Sequence, residues 1–261
     1  MKFCPLFSGS SGNSIFIGTN DTKILIDVGL PGKKIDLALE EINESGKNIN
    51  AIFITHEHSD HIKGVGVVSR KYDIPIYANQ ETWNAMIDKL GKIKESNIRI
   101  IGSEEVAIGD MMIENFKTSH DAANSVGYRI KKGHKNACIV TDLGYFSDNI
   151  KEKITNSDVV LIECNHDVEM LKFGPYPYVL KRRILGDEGH VSNELCGKAI
   201  AETMTQRKRV IFLGHLSKTN NYPDLAYKTV CNILEENNVK IGKDLELLMA
   251  NRDGVSQIIK I

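Results

Sequence analysis

Two rhythms of apolar and polar positions alternate along the chain. Short runs rich in Ile, Val and Phe, Lys2 to Phe7, Ser14 to Gly18 and Lys23 to Val28, are broken by Gly, Ser and Asn, and predict strands joined by turns. From Ile35 to Glu44 the apolar positions take helical spacing instead. A strand over 51–54, a helix over about 62–71, the strand "IPIYA" and a helix from Glu81 to Leu90 follow in β-α-β-α order. Further strands are predicted at 98–101, 112–117, 126–131 and 136–141, the last two as a plain hairpin over "GYRIKKGHKNACIVTD". Then come a helix near 147–155, the buried strand "DVVLIE", a helix over 192–204, the strand "RVIFLG", a helix over 223–237 and strands near 245–249 and 256–260. The expected class is α/β. With no linker, low-complexity tract or clear repeat, residues 1–261 read as a single domain. One stretch departs from the rhythm: about 167–190, with "VEMLKFGPYPYVLKRRILGDE", reads as helical pieces joined by a turn, a lid or flank.

Composition narrows the class without naming a function. Lys plus Arg at 33 against Asp plus Glu at 34 leaves a net charge of −1, so binding to nucleic acid would rest on a local patch. Five cysteines, Cys4, Cys138, Cys164, Cys196 and Cys231, are odd in number, widely spaced and form no CxxC. They read as reduced thiols of a cytoplasmic protein. "MKFCPLF" lacks the apolar stretch of a signal peptide, and no window reaches the length of a membrane span, so no membrane role is expected.

The densest chemistry is "FITHEHSDHIKG", where His56, His58, Asp60 and His61 follow the apolar run Ala51 to Ile54. So many polar groups at one strand end are costly unless something outside the chain holds them together. A metal is the natural answer, and imidazole with carboxylate admits Zn²⁺ or Mn²⁺. More such residues end later apolar runs: His120 in "FKTSHD", Asp142 in "CIVTDLG" and His215 in "VIFLGHLS", each expected at the same sheet edge. "SGSSGNS" lacks the Gly-Lys-Ser ending of a P-loop, so no nucleotide cofactor is expected. It reads as a tight turn, with Ser11 and Asn13 as candidates to face the site. Lys181, Arg182 and Arg183, with Tyr176 and Tyr178, offer charge for phosphates and rings for bases, although a solvated helix face accounts for the charges equally well. Ser192 and Asn193 open a predicted helix, where the dipole favours a phosphate.

In chain order, Asp27 after "ILI", the H-x-H-x-D-H turn, His120, Asp142 and His215 resemble the successive motifs of the metallo-β-lactamase superfamily over nearly the whole chain. The resemblance implies an αββα sandwich with the site at one edge of the two sheets. It also implies two divalent ions, one on His56, His58 and His120 and one on Asp60, His61 and His215, with Asp142 bridging, Asp27 in support and a water activated between the ions as nucleophile. Lactamase branches usually place Cys where Asp142 stands, and glyoxalase and lactonase branches tend to read GHT-Gly where this chain has "SHDAANSVGYRI". His120 followed by Gly127-Tyr128-Arg129 resembles ribonuclease Z and related nucleases instead.

"LIECNHD" and "GHVSNELCGKAIAE" resemble the ribonuclease Z motifs whose Glu and His relay a proton to the leaving oxygen, here Glu163 and His190. Read without the resemblance, His190 is also a neighbour of a helix cap and Glu163 a strand-end carboxylate. The tRNA-gripping arm of ribonuclease Z and the extra domain of ribonuclease J have no counterpart. "FSGSSGNS", "ECNHD", "YPYVLKRRILGDEGHVSN" and "LGHLSKTNN" are very similar to the YycJ (WalJ) family of compact cytoplasmic nucleases. That similarity implies a 5′-to-3′ exonuclease favouring DNA over RNA. On the expected mechanism Asp60 accepts a proton from the attacking water, and Arg183, Ser11, Asn13, Ser192 and Asn193 are the candidate substrate contacts. The alternatives are an endoribonuclease of ribonuclease Z type, a thioester or lactone hydrolase, and a metal-stabilised nucleic-acid-binding module.

Overall fold

In the computed structural model, which describes residues 1–261, two seven-stranded sheets face each other and helices cover the outer side of each. The first half of the chain builds one sheet and its helices: β1 (Lys2–Phe7), β2 (Ser14–Gly18), β3 (Lys23–Ile26), α1 (Gly32–Glu41), β4 (Ala51–Phe53), α2 (Ser59–Ile62), α3 (Val65–Tyr72), β5 (Ile76–Ala78), α4 (Gln80–Leu90) and β6 (Ile98–Ile100). The second half builds the other: β7 (Val106–Ile108), β8 (Met111–Lys117), β9 (Val126–Lys132), β10 (Lys135–Val140), α5 (Asp148–Thr155), β11 (Val159–Glu163), α6 (Val168–Phe173), α7 (Tyr178–Leu185), α8 (Asn193–Glu202), β12 (Arg209–Gly214), α9 (Pro223–Glu236) and β13 (Leu245–Met249). β14 (Ile259–Lys260) returns to the first sheet beside β1.

Strand periodicity explains the four layers. Successive side chains point to opposite faces of a sheet. In β3, Ile24 and Ile26 enter the core between the sheets while Leu25 joins Ile35 and Leu39 of α1 in an outer core. In β11, Val159 and Leu161 face the other sheet, and Val160 and Ile162 pack with Ile200 of α8 and Val230 of α9. Strands buried on both faces read as continuous apolar runs, which is why "VVLIE" and "RVIFLG" were legible as interior strands. The expected αββα sandwich is the observed fold.

The topology puts the chemistry at one edge. β3 and β4 run parallel, as do β10, β11 and β12, so within each set the C-terminal ends lie side by side. Asp27, Thr55, Asp142, Cys164 and His215 are the first residues, or nearly so, beyond those ends. Asp27 (φ 59°), Asp142 (φ 59°) and His215 (φ 55°) turn the chain in the left-handed region, which few non-glycine residues enter and where Asn, Asp and His are enriched.

Local departures from the expected elements have physical causes. β3 stops at Ile26 rather than Val28, because Asp27 takes that left-handed turn and its N–H bonds the Phe53 carbonyl at 2.8 Å. The helix expected over 62–71 is split into α2 and α3 around Gly64, where a Cβ would stand 2.0 Å from the Leu30 carbonyl oxygen. β7 was not expected; its three residues pair only with β8, at the sheet edge. The stretch around 167–190 is two short helices, α6 and α7, flanking the site.

Candidate metal centre

The loop after β4 and the short helix α2 that follows it deliver His56, His58, Asp60 and His61, and Asp27 and Thr55 hold two of these rings from behind. The Asp27 carboxylate accepts the Thr55 N–H at 2.9 Å, the Thr55 hydroxyl at 2.7 Å and His61 Nδ1–H at 2.8 Å. Thr55 Oγ1 also lies 3.0 Å from His56 Nδ1. With both Nδ1 atoms committed as donors, the Nε2 atoms of His56 and His61 keep their lone pairs, the tautomer a metal ligand needs. Asp27, Thr55, His56 and His61 are all buried. Gly29 makes this possible: a Cβ there would sit 1.7 Å from the Asp60 carbonyl oxygen, so only glycine lets the loop after β3 pack onto this turn.

Potential ligands fall into four overlapping groups, the ligand atoms within each lying within 4.8 Å of each other. His56, His58 and His120 form one group and Asp60, His61 and His215 another, the two that match the expected ion sites; His56, His61 and Asp142 form a third, and Asp142, Glu163, His190 and His215 a fourth. His120 comes from the loop after β8, its Nδ1 directed at the Gly189 carbonyl at 3.2 Å. Asp142 lies between the first two groups, with Oδ2 3.4 Å from His61 Nε2 and Oδ1 3.5 Å from His215 Nε2 and 3.8 Å from His120 Nε2. Asp60 Oδ2 is 3.5 Å from His61 Nε2 and 3.7 Å from His215 Nε2.

These spacings suit a shared cation, because ligands about 2.0–2.2 Å from a tetrahedral Zn²⁺ stand about 3.3–3.6 Å apart. Two buried atoms are otherwise unexplained: Asp142 Oδ2 and His215 Nε2 have no hydrogen-bond partner. His56 Nε2 and His58 Nδ1 are 3.1 Å apart, a gap that a proton or a cation must fill. The donor set therefore fits divalent metal.

The electrostatics of the two groups differ. Burial pushes His56 well below the usual histidine range, reinforced by His61, His120 and His58, and burial likewise lowers His120. Burial also opposes charge on His215, but Asp142, Asp60 and Glu163 outweigh it and raise His215 to about 10. His61 goes up in the same way through Asp142, Asp27 and Asp60. The field that would keep protons on these rings is the field that attracts a cation in their place.

Beside this cluster, Glu163 ends β11 fully buried. Its Oε1 accepts from His190 Nδ1 at 2.8 Å and His215 Nδ1 at 2.7 Å, and its Oε2 accepts the Leu143 N–H at 3.2 Å. Burial opposes ionisation of Glu163, yet His190 and His215 hold its pKa below the usual carboxylate range. In return, Glu163 and Asp142 overcome burial and raise His190 above the ordinary histidine value. His190 keeps a partly exposed side chain in the wall of a cleft of about 250 Å³. His58, Asp60, His120, Asp142 and His215 line the same cleft.

Several expected substrate contacts take other roles. Ser11 is exposed at the tip of its turn, and Ser10 lines the cleft in its place. Asn13 is buried, its Oδ1 accepting the Gly9 N–H at 2.9 Å and its Nδ2 reaching His61 Nε2 at 3.1 Å, so it backs the site. Ser192 caps α8, accepting the Leu195 N–H at 3.3 Å. Asn193 is fully buried on Cys164 Sγ and Asn221 and does not line the cleft. Arg183 does line the cleft, paired with Asp121. Thr55, Asn165, Ser217 and Asp121 were missed. Asn165 lines the cleft and donates to the His215 carbonyl at 2.9 Å. Ser217 and Asp121 also line the cleft, and each lies within two residues of an expected ligand, the one signal that pointed to them.

Comparison with known proteins gives a consistent picture. The family model of the metallo-beta-lactamase superfamily matches residues 8–215. Exodeoxyribonuclease WalJ of Streptococcus pneumoniae serotype 2 (strain D39) is 44% identical over 263 residues, spanning 100% of this chain and 98% of its own. Exodeoxyribonuclease YycJ of Bacillus anthracis is 42% identical over 248 residues, spanning 95% and 94%. Among solved structures, the metallo-beta-lactamase fold protein YhfI from Bacillus subtilis superposes with a TM-score of 0.72 at 15% identity, covering 98% of both chains, and shares the fold.

Proposed function

We propose that this chain, which belongs to the metallo-β-lactamase superfamily, is a metal-dependent hydrolase of phosphodiester bonds that acts as a DNA exonuclease. The observation that carries the reading is the Glu163–His190 pair opening into the same cleft as the two ligand groups. Hydrolysis of a thioester expels a thiolate that needs little help, whereas a departing DNA alkoxide must be protonated.

In the finer form of this proposal, His56, His58 and His120 hold one divalent ion and Asp60, His61 and His215 the other, with Asp142 between them. Zn²⁺ or Mn²⁺ there would lower the pKa of bound water and neutralise charge on the phosphate. Asp60 accepts a proton as water attacks phosphorus in line with the leaving oxygen. His190, its Nδ1–H held by Glu163, presents Nε2 to the cleft and delivers its proton to that oxygen. Its raised pKa keeps the proton available near neutral pH. Arg183 and Ser10 are placed to contact the phosphate backbone. Cleavage proceeds 5′ to 3′, and the enzyme works in the cytoplasm, where its five free thiols stay reduced. No helix is long and apolar enough to cross a membrane.

The test is cleavage of DNA and RNA oligonucleotides labelled at the 5′ or the 3′ end by protein reconstituted with Zn²⁺ or Mn²⁺. Immediate release of labelled 5′-terminal mononucleotides from DNA is the expected result. Internal cuts would instead make it an endonuclease, and inert DNA with rapid lactone or thioester turnover would sink the nuclease reading.

A further inference from the structure

The segment beside the cleft has a second face that this chemistry does not use. α7 turns Leu180, Arg183 and Ile184 to the cleft. On its other side Tyr178, Val179 and Arg182 line, with Arg183, a separate hollow of about 360 Å³. Tyr178 is 73% exposed, Val179 79%, and Phe173, at the end of α6, 84%. Lys181 Nζ on the Lys172 carbonyl at 2.8 Å ties α7 to that end of α6. Large apolar side chains this bare on adjoining elements mark a surface that meets something. Because Arg183 is common to both walls, the hollow directly adjoins the cleft.

Charge selects the occupant. Between Met170 and Gly186 the chain carries Lys172, Lys181, Arg182 and Arg183 and no acidic residue. Lys172 pairs with Glu169 and Arg183 with Asp121, whereas the Arg182 guanidinium has only the Tyr178 ring, 6.0 Å away. A second copy docked about a two-fold axis would bring the same cations against each other. A single strand of nucleic acid supplies both missing partners, phosphates for the cations and base faces for the rings.

We propose that the outer face of α7, Tyr178 with Val179 and Arg182, together with Phe173, is a stacking ledge for the nucleotides of single-stranded DNA that lie just outside the cleft. This deepens the nuclease reading and rests on it. The ledge acts on long substrates only, since a small diester confined to the cleft does not reach it.

The test is steady-state kinetics of the metal-loaded full chain on two substrates: thymidine 5′-(p-nitrophenyl phosphate) and a single-stranded oligonucleotide long enough to leave the cleft. Tyr178→Ala should lower the ratio of oligonucleotide to small-diester kcat/KM about tenfold, through KM, as expected for one lost base stack. Tyr178→Phe, which keeps the ring, should restore the ratio. A ratio unmoved by Tyr178→Ala, or both efficiencies falling together, overturns the ledge. So does sedimentation with anionic phosphatidylglycerol vesicles that Tyr178→Ala abolishes while the ratio holds, which would assign the face to a lipid surface. Wild-type protein that hydrolyses the small diester and no DNA would fail the nuclease reading instead, before any variant is compared.

Discussion

His190 Nδ1 and Glu163 Oε1 meet at 2.8 Å, and that one bond decides which nitrogen of His190 faces the cleft. The same carboxylate oxygen holds His215 at 2.7 Å, so one buried Glu orients both a proposed acid and a proposed ligand. Removing the acid and removing its support should therefore give different results.

His190→Ala should cut oligonucleotide hydrolysis by about 10²–10⁴-fold, the usual worth of a positioned acid. Hydrolysis of a p-nitrophenyl diester should fall much less, because that leaving group departs without a proton. Glu163→Gln should in addition weaken metal retention through His215. Paired kinetics on the two substrates, with metal content by mass spectrometry, check both statements.

Asp142→Asn keeps a side chain that tolerates the left-handed backbone at φ 59° but removes the charge between the two ligand groups. It should retain fewer than two ions per chain after gel filtration and lose at least about a hundredfold in activity. Asp142→Ala should also unfold at a lower temperature than Asp142→Asn, since alanine adds backbone strain of about 1 kcal/mol.

Tyr128 is fully buried between the sheets, and its hydroxyl donates to the Ile54 carbonyl at 2.7 Å, two residues before His56. Tyr128→Phe leaves that carbonyl without its partner in a dry core. Urea unfolding should show a loss of about 1–3 kcal/mol.

Glu114 receives Arg129 Nη2 at 2.7 Å, Lys153 Nζ at 2.9 Å and Lys131 Nζ at 3.0 Å. Burial opposes its charge, but these cations outweigh it and lower its pKa from 4.5 to about 2. A depressed folded pKa stabilises the protein above 4.5, and the contribution fades as pH falls from there towards 2. The stability gap between wild type and Glu114→Gln, both stripped of metal, should thus be widest near neutrality and close in acid. Urea midpoints across that range decide it.

Most of the candidate ligands were legible because they follow strands buried on both faces, β4, β10 and β12, where an apolar run that stops at His or Asp marks the site edge of the sheet; His120 follows β8, which is only partly buried. Thr55 was not, since a threonine after a strand reads as more strand, and only the fold shows its hydroxyl threading Asp27, His56 and His61. Asn193 misled for the opposite reason. A polar residue opening a helix reads as solvent-facing, but the Ser192–His166 backbone bridge seals this one beneath the chain. Ser10 and Ser11 show the limit of sequence spacing in a turn: both are exposed, and it is Ser10 that borders the cleft.

Each of the two proposed ion sites takes two residues from the segment after β4, in one sheet's half of the chain, and its third, His120 or His215, from the other. An ion held by either group as proposed would therefore be a bolt through both halves of the molecule, which neither half alone could hold. Catalytic competence becomes a report on whether the halves are locked together. On the proposed site, a chain whose sheets have begun to part would release its ions, and with them its activity, before it unfolds.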